Sequence, residues 1–161
     1  MPEKVVSNTT PIICLLKLSK LDLLKELYKK IFIPEAVYQE ISNGKNKGYY
    51  QDLSKIDWIT IQKIQDKTAL KYFLELDAGE AEAIILATEI GANLIIVDEK
   101  LGRFHAKHAG LKVTGTVGLL LKAKSKGIIG QVKPLLYELK EKDVWLDDKL
   151  IESILLKTGE K

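Results

Sequence analysis

The chain has 161 residues, 46% of them hydrophobic, and a net charge of +3 from 25 basic and 22 acidic residues. This length supports one domain with a sizeable core, and the composition excludes a disordered chain. The charge is too mild to mark a nucleic-acid binder by itself, and no apolar run is long enough to span a membrane.

Met1-Pro2-Glu3-Lys4 lacks the design of a signal peptide, so a cytoplasmic protein is expected. Lys4 to Ser7 is apolar and β-branched and predicts a buried first strand. Thr10-Pro11 reads as an N-cap followed by a proline at the first helical position. Leucines then recur at helical spacing from Leu15 to Leu27, with a break near Ser19. Cys14 is the single cysteine; it forms no internal disulfide and fits a reducing compartment. Ile31 to Ile33 predicts a second strand stopped by Pro34, and Glu35 to Ile41 a helix. Asn43 to Gln51 is a polar loop, Trp58 to Ile61 a third strand, and Asp66 to Leu74 a helix. A helix from about Gly79 to Ile90 ends at Gly91-Ala92-Asn93, and Leu94 to Val97 is a fourth strand. Lys100 to Ala109 reads as helix, Lys112 to Thr114 as an edge strand, and Val117 to Lys126 as helix. Amphipathic helices near Val132 to Glu141 and Asp147 to Lys157 close the chain.

Strands alternating with helices imply a parallel sheet covered on both faces. No repeat or linker divides the chain. A single domain over residues 1–161 is expected, with helices from about 131 packing on it or on a partner subunit. Ligands bind at the carboxyl edge of such a sheet, where strands end and helices begin. Asn8 ends the first strand, Asp98 ends the fourth, Glu80 opens a helix, and Glu40 sits on the helix after strand two. All four can project to one edge. Carboxylates gathered without cations repel one another, so an acidic edge is a candidate divalent-metal site. Each residue also has a purely structural explanation. Asp77 and Glu80 are spaced as a capping box, Asp98 can cap the helix that follows it, and Glu40 can be a solvated helical acid.

Five segments carry a resemblance: Val5-Val6-Ser7-Asn8-Thr9-Thr10-Pro11, Ile33-Pro34-Glu35 to Glu40-Ile41, Leu76-Asp77-Ala78-Gly79-Glu80, Ile96-Val97-Asp98-Glu99 with Gly102-Arg103, and Gly115-Thr116-Val117-Gly118. In this order, over about residues 4 to 140, they resemble the PIN-domain superfamily, in a prokaryotic branch related to VapC-type toxins. The resemblance implies a three-layer α/β/α sandwich with a five-stranded parallel sheet. It implies a nuclease that cleaves single-stranded or structured RNA with Mg²⁺ or Mn²⁺. Asn8, Glu40, Glu80 and Asp98 match the four acidic positions of the family, and Thr10 a small polar residue near the metal. An antitoxin protein and a homodimer are the implied partners. Carboxylates suit a hard cation, which activates water and offsets developing charge, so the protein need not supply a nucleophile.

Asn8 departs from the family, which most often has aspartate there. An amide oxygen can ligate but brings no charge, so a weakened nuclease is expected. Asp77, Glu82 or Glu99 can compensate, although Glu82 is rotated about 200° from Glu80 on an ideal helix. Arg103, the one arginine, either holds a substrate phosphate or pairs with Glu99 or Asp77 to orient the acids. Thr116 stands at a glycine-flanked helix start that can face a phosphate, or the glycines simply allow close packing. His105 and His108 have zinc-compatible spacing but no further ligands to complete a site. Lys122, Lys124 and Lys126 alternate by two and make no clean basic face. Tyr49 and Tyr50 either stack on bases or cover core. Leu146, Leu150, Ile151, Ile154 and Leu155 form a stripe for core or a dimer. The lysine- and isoleucine-rich composition leans towards a heat-adapted source. An inactive RNA- or protein-binding module is the alternative. A nucleotide-binding domain fares badly, since Ser7-Asn8-Thr9-Thr10 offers neither an aspartyl nucleophile nor a glycine-rich phosphate loop.

Overall fold

Five short apolar runs, Val5–Ser7 (β1), Ile31–Pro34 (β2), Ile59–Gln62 (β3), Leu94–Ile96 (β4) and Val113–Thr114 (β5), pair in parallel in the order β3-β2-β1-β4-β5. In this computed structural model the described residues are 3–161; the reading placed on Met1 and Pro2 lies outside them. Val6 is opposite Phe32, and Ser7 is opposite Ile96. Successive strand residues point to opposite faces, and the two cores follow that alternation. Val5, Ile31, Ile33 and Ile96 pack into one core, Val6, Ile95 and Val97 into the other.

The first core is roofed by helices Thr9–Lys17 (α1), Asp22–Tyr28 (α2), Glu35–Ser42 (α3), Thr116–Ser125 (α6), Lys133–Glu141 (α7) and Asp148–Thr158 (α8). The second is covered by Ala78–Glu89 (α4) and Lys100–His108 (α5). The result is the α/β/α sandwich expected from the sequence. Among the described residues no helix is long and apolar enough to cross a membrane.

One local expectation needs correction. Thr10 does not cap α1: the helix starts at Thr9 with Asn8 in the N-cap position and Pro11 two residues further in. The helix expected from Asp66 to Leu74 is present over Lys67–Phe73, with 3-10 pitch. Ala69, Leu70 and Phe73 pack against the second core only partly buried, so the segment is held loosely. The break near Ser19 is present, with Ser19 at φ 55°.

The final residues close back on the body. Glu160 accepts bonds from Val132 N, Lys133 N and Lys124 Nζ at 2.6–3.0 Å. Those contacts bring its carboxyl down to about 2, against the opposing effect of burial. Lys124 is thereby committed to structure. Lys122 lies over the Tyr28 ring, and Tyr49 and Tyr50 pack against the first core.

Candidate metal centre at the carboxyl edge

β1 leads to β2 on one side, and β4 leads to β5 on the other. The order therefore reverses between β1 and β4, and a crevice at their carboxyl ends is the usual ligand position in such sheets. Asn8 stands there. Its backbone N–H donates to Ile96 O at 2.9 Å, fixing it beside the end of β4. An asparagine N-cap normally turns its oxygen onto the N–H two or three residues ahead. The third residue here is Pro11, which has no N–H, and the Asn8 side chain makes no capping bond. Asn8 Oδ1 is instead buried without a hydrogen-bond partner.

Glu80 presents the second such atom. Asp77 and Glu80 form the capping box read from the sequence: Glu80 N donates to Asp77 Oδ1 at 2.8 Å, and Asp77 N donates to Glu80 Oε1 at 3.4 Å. Glu80 Oε2 remains buried and unpartnered, in a side chain that is only 6% exposed. Burial, then the neighbouring Asp77 carboxylate, pushes the Glu80 carboxyl up to about 7. The Cα of Gly102 lies against it; a Cβ there would stand 2.6 Å from Oε2.

Glu40 and Asp98 are already engaged. Glu40 accepts Thr9 Oγ1–H at 2.5 Å and Gly79 N–H at 2.8 Å, joining α1, α3 and the first turn of α4. Glu82 returns the favour by accepting Ala36 N–H at 3.1 Å, so each of these two helices supplies a carboxylate to the other's first turn. Glu82 therefore points to α3, in keeping with its rotation from Glu80. Asp98 accepts from Thr116 twice, N–H and hydroxyl both at 2.6 Å, and holds the start of α6. Thr116 is thus tied to an acid, not open to a phosphate.

Arg103 is half-buried and pairs with neither Glu99 nor Asp77; its one bond is a long contact to Val97 O at 3.4 Å. A Cβ on Gly115 would meet both Asp98 Oδ1 at 2.5 Å and Arg103 Nη1 at 2.9 Å, so the acid and the guanidinium converge above that glycine. Cys14 lies near this pair, and burial raises its thiol to about 11, which rules it out as a thiolate nucleophile at neutral pH. Thr9, not Thr10, contacts Glu40; Thr10 lines a cavity that also borders Asp98. His105 packs edge-on against Phe73 and Phe104, 3.9 Å from Glu75, and His108 stacks on Phe104.

The edge thus holds one set of oxygens that each accept a protein donor, with lone pairs to spare, and another, Asn8 Oδ1 and Glu80 Oε2, that accepts none. Among the described residues no three of His, Cys, Asp or Glu stand close enough to hold a metal ion by themselves. A cation at the unpaired oxygens would combine an amide with one carboxylate. Oxygen donors suit Mg²⁺ or Mn²⁺, and Glu80 protonated near neutrality would have to release its proton to take one.

The family described as "DUF3368: PIN domain" matches residues 4–160. The chain belongs to the PIN-domain family. Its five-stranded parallel sheet and flanking helices are the sandwich of that fold, a fold of the nuclease type. No curated protein matches the chain. Within this PIN domain, Gly79 lets α3 and α4 approach closely. Its missing Cβ admits the Glu40 carboxylate, since a Cβ would meet the two oxygens at 2.5 and 2.8 Å. Gly79→Ala should expel Glu40 from the α4 terminus. Losing a charged hydrogen bond costs about 1.5–3 kcal/mol, and helix propensity returns about 1 kcal/mol. A net loss of roughly 0.5–2 kcal/mol in denaturant unfolding is expected; an unchanged midpoint would refute the contact.

Proposed function

We propose that this PIN domain is a metal-dependent endoribonuclease, weakened by Asn8, that uses Mg²⁺ or Mn²⁺. The observation that carries the reading is the pair of buried acceptor oxygens, Asn8 Oδ1 and Glu80 Oε2, left without partners in a fold of the nuclease type. Buried polar atoms are paired in nearly all native proteins, so two orphans at a ligand edge point to a missing cation or water. Glu80 and Asn8 would hold the ion directly, with Glu40 and Asp98 contributing negative potential from their fixed positions. When bound, the ion supplies an activated water and a counter-charge for the phosphodiester oxygens. The chain's own part is to fix those carboxylates. Thr9 and Gly79 hold Glu40, Thr116 holds Asp98, and Asp77 positions Glu80.

The finer reading makes the protein the toxin of a toxin–antitoxin pair acting as a homodimer, with a small adjacent gene encoding the antitoxin. A second reading, an inactive RNA- or protein-binding module, draws on Asn8 and on the structural hydrogen bonds that Glu40 and Asp98 already accept. Thermal melts with millimolar MnCl₂, alongside cleavage of end-labelled single-stranded RNA, separate the two. The nuclease should gain several degrees and cut RNA only when metal is present. RNA retention with no Mn²⁺-dependent stabilisation would establish the binding module.

A further inference from the structure

A cavity of about 890 Å³ opens beside Asp98, bounded by α1, the start of α5, β5 and the linker between α7 and α8. Its lining mixes charge and apolar surface. Arg103 forms no ion pair but converges with the Asp98 carboxylate above Gly115, and exposed Lys100 also borders the space. Glu99 and Asp143 line it as well, together with Leu146, Leu150 and Trp145. Trp145 is 85% exposed, the most exposed large hydrophobic side chain among the described residues. The chain leaves α7 through Asp143 at φ 66°, a left-handed residue that turns the linker sharply before Trp145.

We infer that this cavity seats an unpaired nucleotide of an RNA strand, with Trp145 stacked on the base and Arg103 holding the phosphate. Each nucleotide of a single strand presents one anion and one π-face, and the cavity offers a fork for the first and an indole for the second. An apolar protein segment would cover Trp145 but leave the guanidinium unanswered. A base held within a duplex has its faces stacked already and gains nothing from the indole. The inference rests on the nuclease reading for its choice of RNA, and it assigns Trp145 and Arg103 as determinants of substrate choice.

The test is equilibrium binding of a fluorescein-labelled single-stranded hexaribonucleotide in EDTA, so that no strand is cut. Matched abasic and duplex strands serve as controls. The single strand should quench tryptophan emission saturably, and Trp145→Ala should lose that signal and bind about tenfold more weakly. Trp145→Phe should stay within a few-fold of wild type, and the abasic strand should bind wild type as poorly as the intact strand binds Trp145→Ala. Arg103→Ala should weaken all strands and flatten the salt dependence. Because the indole is exposed, Trp145→Ala should melt with wild type, which makes its binding interpretable. Equal affinity of wild type and Trp145→Ala, or of intact and abasic strands, overturns the inference. So does a Trp145→Ala protein that keeps RNA affinity but loses self-association, since the occupant would then be protein. With metal absent from the assay, failed cleavage leaves this result standing, and failed stacking leaves the nuclease reading standing.

Discussion

Asn8→Asp should bind Mn²⁺ at least tenfold more tightly than wild type and cleave single-stranded RNA faster, while its metal-free form melts earlier. Both effects have one origin. Asn8 is 2% exposed, and its Oδ1 has no donor, so a carboxylate there would be a buried charge with nothing to answer it. An uncompensated buried charge costs roughly 3–5 kcal/mol. For a domain of this size that is about 6–20 °C of melting temperature. A divalent cation offsets part of that cost, because the added charge then pairs with it. Melts in EDTA should therefore place the variant well below wild type, and saturating MnCl₂ should narrow the gap by about 1.4 kcal/mol for each tenfold gain in affinity. Identical curves in EDTA with no gain in Mn²⁺ would show that position 8 does not face the ion.

The metal-free protein should lose stability as pH rises from about 4.5 to 7. The Glu80 carboxyl is raised to about 7 by burial and by Asp77, while the unfolded chain titrates near its ordinary value of 4.5. Between those values the folded state holds a proton that the unfolded state has released. The Glu80 contribution is then full below 4.5 and declines as the buried carboxyl is forced to ionise. It amounts to roughly 3 kcal/mol, at 1.36 kcal/mol per pH unit. Glu80→Gln should remove this slope and raise the alkaline melting temperature, since an amide can still accept from Asp77 N. Mn²⁺ should act in the opposite direction, stabilising wild type more as pH rises through 7, because the proton competes with the cation. Glu80→Gln should lose most of that stabilisation. A wild-type melting temperature flat from pH 4.5 to 7 in EDTA would contradict the raised carboxyl.

Several parts of this arrangement are visible in the residues themselves. Leu94 to Val97 is wholly apolar and ends at an acid, so strand polarity alone carries Asp98 to the ligand edge. Asp77 and Glu80 declare a capping box by spacing, and the structure contains it. The partners of the other acids are not visible, because they lie far off in the chain. Thr9 reaches Glu40 across 31 residues, Glu82 reaches Ala36 across 46, and Thr116 reaches Asp98 across 18. No local pattern encodes those bonds; they arise where the sheet edge brings helix starts together. The α1 cap was hidden for a different reason. Thr10-Pro11 imitates a helix start so well that Asn8 reads as the strand's last residue and not also as the cap. The terminal stripe divides: Ile151, Ile154 and Leu155 are buried in the first core, while Leu150 is 44% exposed towards the cavity.

Glu160 has a consequence for how the molecule opens. Helices held by few contacts open locally, exchanging their amide hydrogens and admitting proteases well before the rest gives way. Here the closing carboxylate is bolted to the head of α7 and to a lysine on α6, while α8 buries Ile151, Ile154 and Leu155. Hydrogen exchange should therefore place α8 in the same cooperative unit as the body beneath it.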